Sequence, residues 1–128
     1  MTSIARVLLA AACSVFAAAS WSAEVPFDQA QFDAARAAGK PVAVVFHADW
    51  CPTCRAQAPV LKQLSESGDL QQLTIFVADF DAEKALKRAL RVSKQSTVVV
   101  FKGGKEAARS TGDTEPGSLS ALLHHAVS

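Results

Sequence analysis

The sequence predicts an α/β fold with a mixed central sheet, mainly parallel, that is flanked by helices. Two apolar runs of strand length, residues 42–46 and 73–78, alternate with patterns of helical period. Gly103 and Gly104 separate two further strand patterns and predict a C-terminal antiparallel hairpin. The region after residue 23 is about 105 residues long, which suits one domain with a single core.

Residues 1–23 have the pattern of an export signal peptide. Arg6 supplies a positive charge, an apolar stretch covers residues 7–19, and small residues follow. We expect cleavage near Ala19 to Ala23, which leaves residues 24–128 as one domain in the periplasm or outside the cell. The alternatives are an uncleaved N-terminal anchor and a lipoprotein cleavage site at Cys13.

The first predicted elements are a capped helix and a buried strand. Residues 28–38 form a helix that Asp28 caps, with Gln31 placed for the reciprocal capping-box bond. Residues 42–46 are continuously apolar and mostly β-branched, which is typical of a central strand buried on both faces. A helix over residues 52–67 follows this strand.

The later elements alternate in the same way and then end in a hairpin. Pro59 is expected to kink the second helix, because its ring removes a backbone hydrogen bond. A strand over 73–78 and a helix over 82–90 come next. The remaining predicted elements are a strand over 97–101, its antiparallel return over 105–110, and a helix over 119–127.

Two cysteines with two residues between them lie where the first predicted strand meets the second helix. Cleavage of the leader removes Cys13, so Cys51 and Cys54 become the only thiols of the mature chain. A pair three residues apart closes almost no loop, so it stabilises little as a structural disulfide. The spacing therefore favours a redox couple, with both thiols on one face of the helix.

The start of a helix activates the first of these thiols. Unpaired backbone N–H groups and the helix dipole favour the Cys51 thiolate, which is the nucleophilic form. Pro52 suits the first helical position, and the Thr53 hydroxyl is a candidate hydrogen-bond donor to the thiolate. We predict a Cys51 pKa of roughly 5 to 7 and a reduction potential of roughly −150 to −240 mV.

Together these residues resemble the thioredoxin family. The resemblance rests on Gly-Lys-Pro-Val at 39–42, Ala-Asp-Trp-Cys-Pro-Thr-Cys at 48–54, and Pro59, and it covers nearly all of the mature chain. It implies a thioredoxin fold and an exported thiol–disulfide oxidoreductase. In that family's terms Cys51 is the nucleophile, Cys54 is the resolving thiol, and Trp50 is an active-site aromatic that covers the site and contacts a partner.

The chain departs from the family at the loop opposite the cysteines. Ser96 stands at the position of the family's cis-proline, which shapes the groove for substrate. A cis peptide before a non-proline residue costs about 2.5–4 kcal/mol, so the Gln95–Ser96 bond is predicted to be trans. The candidate groove residues are Gln95, Ser96 and Thr97. Three interpretations remain open: the loop keeps its function despite the substitution, the substrate groove is changed, or the missing proline lets a thiolate bind a metal.

A second departure concerns the proton of the resolving thiol. Val45 stands where the family has a buried aspartate that is thought to assist Cys54, and an apolar side chain accepts no proton. His47 is the nearest titratable candidate, because strand alternation puts it on the same face as Val45. An imidazole there would raise the thiolate fraction; the alternative is an imidazole that packs as a partly buried aromatic.

The leading hypothesis is therefore an enzyme that exchanges dithiol and disulfide through Cys51 and Cys54, with no cofactor and no resident metal. We expect protein or small thiol–disulfide substrates, a membrane electron donor or acceptor, and a monomer. Twelve basic and twelve acidic residues remain after residue 23, so no nucleic-acid partner is expected. The rival hypotheses are a module that binds copper, zinc or an iron–sulfur cluster, and a non-enzymatic binding domain.

Overall fold

The computed structural model describes Ser14 and residues 23–128, and the region from residue 23 forms one sheet with helices on both faces. The strands are β1 (Ala23–Pro26), β2 (Val42–His47), β3 (Thr74–Asp79), β4 (Thr97–Lys102) and β5 (Lys105–Thr111). The helices are α1 (Gln29–Ala37), α2 (Pro52–Ser65), α3 (Lys84–Leu90) and α4 (Pro116–His124), with a 3₁₀ turn over Gly68–Leu70.

The sheet has the strand order β1-β3-β2-β4-β5 and is mixed, as predicted. β1 and β2 both run parallel to β3, whereas β4 is antiparallel to both β2 and β5. Antiparallel pairing therefore extends one strand further than the predicted hairpin. The sequence did not indicate β1, because its four residues carry neither an apolar run nor a clear alternation.

Most predicted elements are present, with ends that differ by a few residues. Asp28 caps α1 by accepting a hydrogen bond from the backbone N–H of Gln31 at 2.9 Å. α2 continues through Pro59 and ends at Ser65, two residues before the predicted end. α4 begins at Pro116, three residues before the predicted start, because proline suits the first helical turn.

Alternate residues of the strands pack on two different faces of the sheet. One face, which we call the aromatic face, packs against α1 and α3 and contains Phe32, Phe46, Phe76 and Phe101. The other, the aliphatic face, packs against α2 and α4 and is built mainly from valine, leucine and isoleucine. The cysteines lie in a third, small cluster with Ala48, against which the partly buried Phe80 packs.

The hairpin between β4 and β5 closes against α1. Gly103 and Gly104 both have positive φ, 59° and 81°, as the predicted tight turn requires. A side chain at Gly104 would place its Cβ 2.8 Å from the carbonyl oxygen of Arg36, so only glycine fits. The Arg36 guanidinium in turn donates to the Gly104 carbonyl at 2.9 Å, which ties the hairpin to the helix.

The predicted signal peptide, with Cys13 and the cleavage positions before Ala23, lies outside the described residues. Within the part of the chain that is described, no helix is both long and apolar enough to cross a membrane.

Candidate active site

The dithiol lies where β2 ends and α2 begins. Cys51 is the N-cap residue of α2, with extended backbone angles of φ −90° and ψ 118°. Its Sγ accepts a hydrogen bond from the backbone N–H of Cys54 at 3.4 Å. Pro52 occupies the first helical turn, where its missing N–H leaves no carbonyl unpaired. This arrangement is the helix-terminal thiol that the sequence predicts.

Both cysteines are free thiols, and both are shielded from solvent. Cys51 is 4% exposed and Cys54 is 1% exposed. Both residues are therefore buried, and Cys51, at the start of α2, is the slightly more exposed of the two.

The surroundings of Cys51 lower its pKa to about 7. The largest cause is the backbone N–H of Cys54, and the thiol of Cys54, the hydroxyl of Ser96 and the backbone N–H of Thr53 act in the same direction. Burial opposes them, because it disfavours the charged thiolate. About half of the Cys51 sulfur is therefore thiolate at neutral pH. Thr53 contributes through its backbone and not through the hydroxyl that the sequence suggested.

Ser96 is placed directly against the two sulfurs. Its Oγ lies 2.9 Å from the Sγ of Cys54 and 3.8 Å from the Sγ of Cys51. The side chain is 1% exposed, and φ at this residue is +60°, in the left-handed region that non-glycine residues rarely adopt. The Gln95–Ser96 peptide is trans, as predicted, since the described residues include no cis peptide bond.

The other two candidates on this loop have different surroundings. Gln95 is half-buried and makes no side-chain hydrogen bond among the described residues. Thr97 is buried, and its hydroxyl donates to the carbonyl of Lys94 at 2.7 Å and pairs with the hydroxyl of Thr111 at 2.9 Å. Thr97 therefore closes the loop onto β5, and neither residue contacts a cysteine sulfur by a hydrogen bond.

The sequence interpretation missed Gln57, which fixes the Ser96 loop. Its side chain is 1% exposed, and its Nε2 donates to the carbonyl of Ser96 at 3.2 Å and to that of Asp113 at 2.8 Å. The signal was its spacing: three residues after Cys54, Gln57 lies on the same face of α2. A polar residue at that helical position had to find buried partners.

Trp50 forms an exposed wall beside the cysteines. Its side chain is 58% exposed, and it is the only large hydrophobic residue exposed to this degree in the described chain. The indole Nε1 donates to a carboxylate oxygen of Asp81 at 2.7 Å, which fixes the ring across two loops. An apolar ring held open to solvent is suited to contact a partner protein.

His47 ends β2 and lines the same cavity as Val45, in agreement with the predicted strand alternation. Its Nε2 lies 2.8 Å from a carboxylate oxygen of Asp49, and neither cysteine sulfur is among its hydrogen-bond partners. It also makes no contribution to the lowered pKa of Cys51. The expectation that the imidazole raises the thiolate fraction stays a prediction, and in this structure the ring pairs with Asp49.

Val45, at the position of the family's buried aspartate, lies beside a space that is not fully packed. Val45 is 3% exposed and lines a cavity of about 150 Å³ together with Glu24, His47 and Gln57. Burial raises the pKa of Glu24, while Lys62 and His47 lower it to a smaller extent. Glu24 escaped sequence analysis because it lies on β1, the strand that was not predicted.

No group of three or more histidine, cysteine, aspartate or glutamate side chains is arranged to hold a metal ion in the region that the structure describes. The reactive groups that lie together at the site are the sulfurs of Cys51 and Cys54. The reactive one accepts backbone and hydroxyl hydrogen bonds, and the second lies within one helical turn of it.

Known proteins resemble the chain over nearly its whole described length. The Thioredoxin family model matches residues 23–125. The thioredoxin of Chlamydia muridarum is 38% identical over 82 residues, which is 64% of this chain and 78% of that protein. The thioredoxin of Mycolicibacterium smegmatis is 37% identical over 89 residues, covering 69% of this chain and 80% of the relative.

A solved structure is similar as well. The crystal structure of Trxlp from Edwardsiella tarda EIB202 superimposes with a TM-score of 0.77 at 40% identity, covering 79% of this chain and 98% of that one. The thioredoxin of Malassezia sympodialis, at 23% identity and a TM-score of 0.72, shares the fold.

Proposed function

We propose, given that the chain belongs to the thioredoxin family and is a protein-disulfide oxidoreductase, that it acts outside the cytoplasm and uses Cys51 as its nucleophile and Cys54 as its resolving thiol. The observation that carries this proposal is the position of Cys51 at the start of α2, where its Sγ accepts the Cys54 N–H and its pKa falls to about 7. Protein disulfides are the substrates.

The proposed reaction has two exchange steps. The Cys51 thiolate attacks a substrate disulfide, forms a mixed disulfide and releases the first substrate thiolate. Cys54 then attacks the Cys51 sulfur, which closes the intramolecular disulfide and releases the second substrate sulfur. Burial of Cys54 supports this order, because a substrate reaches Cys51 more easily. Two electrons pass from the dithiol to the substrate.

The acidity of Cys51 supports a reducing role. A thiol pKa of about 7 is close to that of thioredoxin and far above the value of about 3.5 in the strong oxidant DsbA. Equilibration with glutathione tests this assignment, and we expect a potential of roughly −150 to −240 mV. A value near −120 mV, that of DsbA, contradicts a reducing role.

Export is proposed from the sequence pattern of residues 1–23, in which an apolar stretch follows Arg6 and precedes small residues. An exported reductase has no cytoplasmic reductant beside it, so a membrane electron donor or acceptor is the proposed partner. Cell fractionation with N-terminal sequencing of the recovered protein tests export. We expect a new N-terminus between residues 20 and 24; an intact Met1 in the cytoplasmic fraction overturns the proposal.

Substrate trapping tests the roles of the two cysteines. In Cys54→Ala the resolving step is lost, so mixed disulfides with substrate proteins should accumulate on Cys51 and run as reducible adducts on non-reducing gels. The matched control is Cys51→Ala, which keeps the buried thiol and should capture far less. If both variants capture the same amount, or if the native protein fails to reduce insulin, the assigned roles are wrong.

A further inference from the structure

Both backbone polar groups of Ser96, the N–H and the carbonyl, make hydrogen bonds. Its N–H donates to the carbonyl of Phe46 on β2 at 2.8 Å. Its carbonyl accepts from the N–H of Gly112 at 3.1 Å and from the side chain of Gln57 at 3.2 Å. These three bonds hold the residue at φ +60°, a conformation that persists only where the surroundings determine it.

The result of this strained placement is that one hydroxyl faces both sulfurs. The Ser96 Oγ is 2.9 Å from Cys54 Sγ and 3.8 Å from Cys51 Sγ, in a site that is closed to solvent. A serine hydroxyl has one proton to donate and two lone pairs to accept. It can therefore accept the Cys54 S–H and donate to the Cys51 thiolate at the same time.

Few groups are placed to take the proton of Cys54. Apart from its hydrogen bond to Cys51, whose sulfur is bonded to substrate in the mixed disulfide, the Cys54 sulfur lies within hydrogen-bond distance of the Ser96 hydroxyl and, at 3.9 Å, of the Phe46 carbonyl. The residue on β2 that faces the aliphatic core here is Val45, which accepts no proton. Of the nearby charged side chains, His47 pairs with Asp49 and Asp81 accepts from Trp50. Glu24 lines the cavity beside Val45, which Cys54 does not line.

We propose that Ser96 is a catalytic relay residue, whose hydroxyl takes the proton of Cys54 and gives up its own to the sulfur that leaves Cys51. The proposal rests on the proposed function, because it concerns the second exchange step. Ser96 thereby replaces a carboxylate base with a hydroxyl that stays neutral before and after the step.

The step balances without another reactant. In the mixed disulfide, Cys51 is bonded to the substrate sulfur and Cys54 is a thiol. As the Cys54 sulfur bonds to the Cys51 sulfur, its proton moves to Ser96 Oγ. The bond from Cys51 to the substrate sulfur breaks, and that sulfur keeps the electron pair and receives the original Ser96 proton. The products are the Cys51–Cys54 disulfide, a substrate thiol and an unchanged serine.

Reaction of the reduced full-length protein with excess 5,5′-dithiobis(2-nitrobenzoate) separates the two steps. The first equivalent of thionitrobenzoate reports attack by Cys51, and the second reports resolution by Cys54. In Ser96→Ala we expect the second phase to slow about a hundredfold, the lower end of general acid–base effects. The pH midpoint of the first phase should rise above about 7, because the thiolate loses a hydrogen-bond donor.

Three further variants separate the hydroxyl from the strained backbone. Ser96→Gly also removes the hydroxyl but suits a positive φ, so it should slow the second phase as Ser96→Ala does and yet fold well. Ser96→Thr keeps a hydroxyl and should recover part of the rate. Ser110→Ala is the matched control, because the Ser110 Oγ is buried without a hydrogen-bond partner among the described residues and Ser110 lies on β5, paired with Val98; it should behave like the native protein.

The outcomes distinguish this proposal from the function on which it rests. If the native protein releases only one equivalent of thionitrobenzoate, Cys54 does not resolve and the proposed function itself fails. If the native protein releases two equivalents, and Ser96→Ala and Ser96→Gly match it in second-phase rate and in pH midpoint, the relay is overturned and the oxidoreductase assignment stands. Slowing in both variants, with recovery in Ser96→Thr, supports the relay.

Discussion

The two faces of the sheet differ in what they bury. The aromatic face packs Phe32 against Phe27, Phe76 and Phe101, with ring centroids 5.4 to 5.8 Å apart in each of these pairs, and the buried residues of its helices α1 and α3 are apolar. The aliphatic face carries α2, whose buried positions include Gln57, and leaves a cavity of about 150 Å³ beneath it. One face is packed for stability, and the other admits polar groups next to the dithiol.

This difference shows which face of the sheet supplies the polar contacts of the dithiol. α2 belongs to the aliphatic face, so the polar contacts of that face reach the Ser96 loop and the cysteines. The aromatic face reaches the same cluster through the side chain of the partly buried Phe80 and through the backbone carbonyl of Phe46. Changes on the aromatic face should therefore alter stability alone, whereas polar changes on the aliphatic face should alter stability and thiol reactivity together.

The largest expected effect is on the aromatic face. Phe32→Ala removes a ring that is 1% exposed and contacts three others, which should cost about 3–5 kcal/mol of unfolding free energy. Chemical denaturation measures this loss. Because that cost is a large part of a small domain's stability, the milder Phe32→Leu serves to examine the thiols. Its Cys51 alkylation should keep the native pH midpoint, and a shifted midpoint contradicts the separation of the two faces.

A smaller loss of stability, with a change in reactivity, is expected from Gln57→Leu. Leucine fills a similar volume but cannot donate the two hydrogen bonds that Gln57 makes to the carbonyls of Ser96 and Asp113. A buried carbonyl left without a partner costs about 1–3 kcal/mol. The Ser96 carbonyl keeps the Gly112 N–H, so the loop loosens without losing its place. Denaturation should show the loss, and the pH midpoint of Cys51 alkylation should rise.

The control for this variant is Gln63→Leu on the exposed side of the same helix. It changes the same side-chain chemistry without touching the Ser96 loop, so both stability and alkylation should stay near native. If the pH midpoint of Cys51 alkylation is unchanged in Gln57→Leu, the Ser96 loop keeps its position without the Gln57 side-chain amide.

An effect of a few tenths of a kcal/mol is expected at Glu24, beside the cavity. Burial raises its folded-state pKa, so its contribution to stability is greatest below the unfolded pKa and is lost as pH rises through the folded value. Glu24→Gln should therefore be slightly more stable than the native protein at pH 7, and the gain should vanish near pH 4. The gain is small because the side chain is half-exposed and solvent screens its charge.

Denaturation midpoints at the two pH values measure this difference, and the exposed Glu115→Gln is the control, because Glu115 does not act on the pKa of Glu24. A Gln variant that is less stable at pH 7 would mean that the carboxylate is used in the folded state, contrary to the sign of the raised pKa.

The sequence predicted the parts of this molecule that local patterns determine. Four strands, four helices and the place of Cys51 at a helix start follow from apolar runs, caps and turn glycines. The partners of the cysteines across the site depend on tertiary contacts instead. Ser96 is 42 residues away from Cys54 in the chain, and Gln57 is 39 residues away from Ser96. Ser96 was singled out only because a familiar proline was missing there, and no local pattern showed that its hydroxyl faces two sulfurs.

The smallest expected effect lies at the outer edge of the aliphatic face, where His124 on α4 contacts the carbonyl of Ser120 and a carboxylate oxygen of Asp69, each at 2.6 Å. The Ser120 carbonyl first, and then Asp69, raise the pKa of His124 above its usual value of 6.5. The imidazolium therefore stabilises the folded state. This contribution is fully present at pH values below the unfolded-state pKa of His124, and it is lost as the pH rises through the folded-state pKa. In His124→Gln this decline between pH 6 and 8 should disappear from the denaturation midpoint, while Cys51 alkylation should not change. A shifted pH midpoint of Cys51 alkylation would show that α4, and not only α2, affects the reactivity of the dithiol.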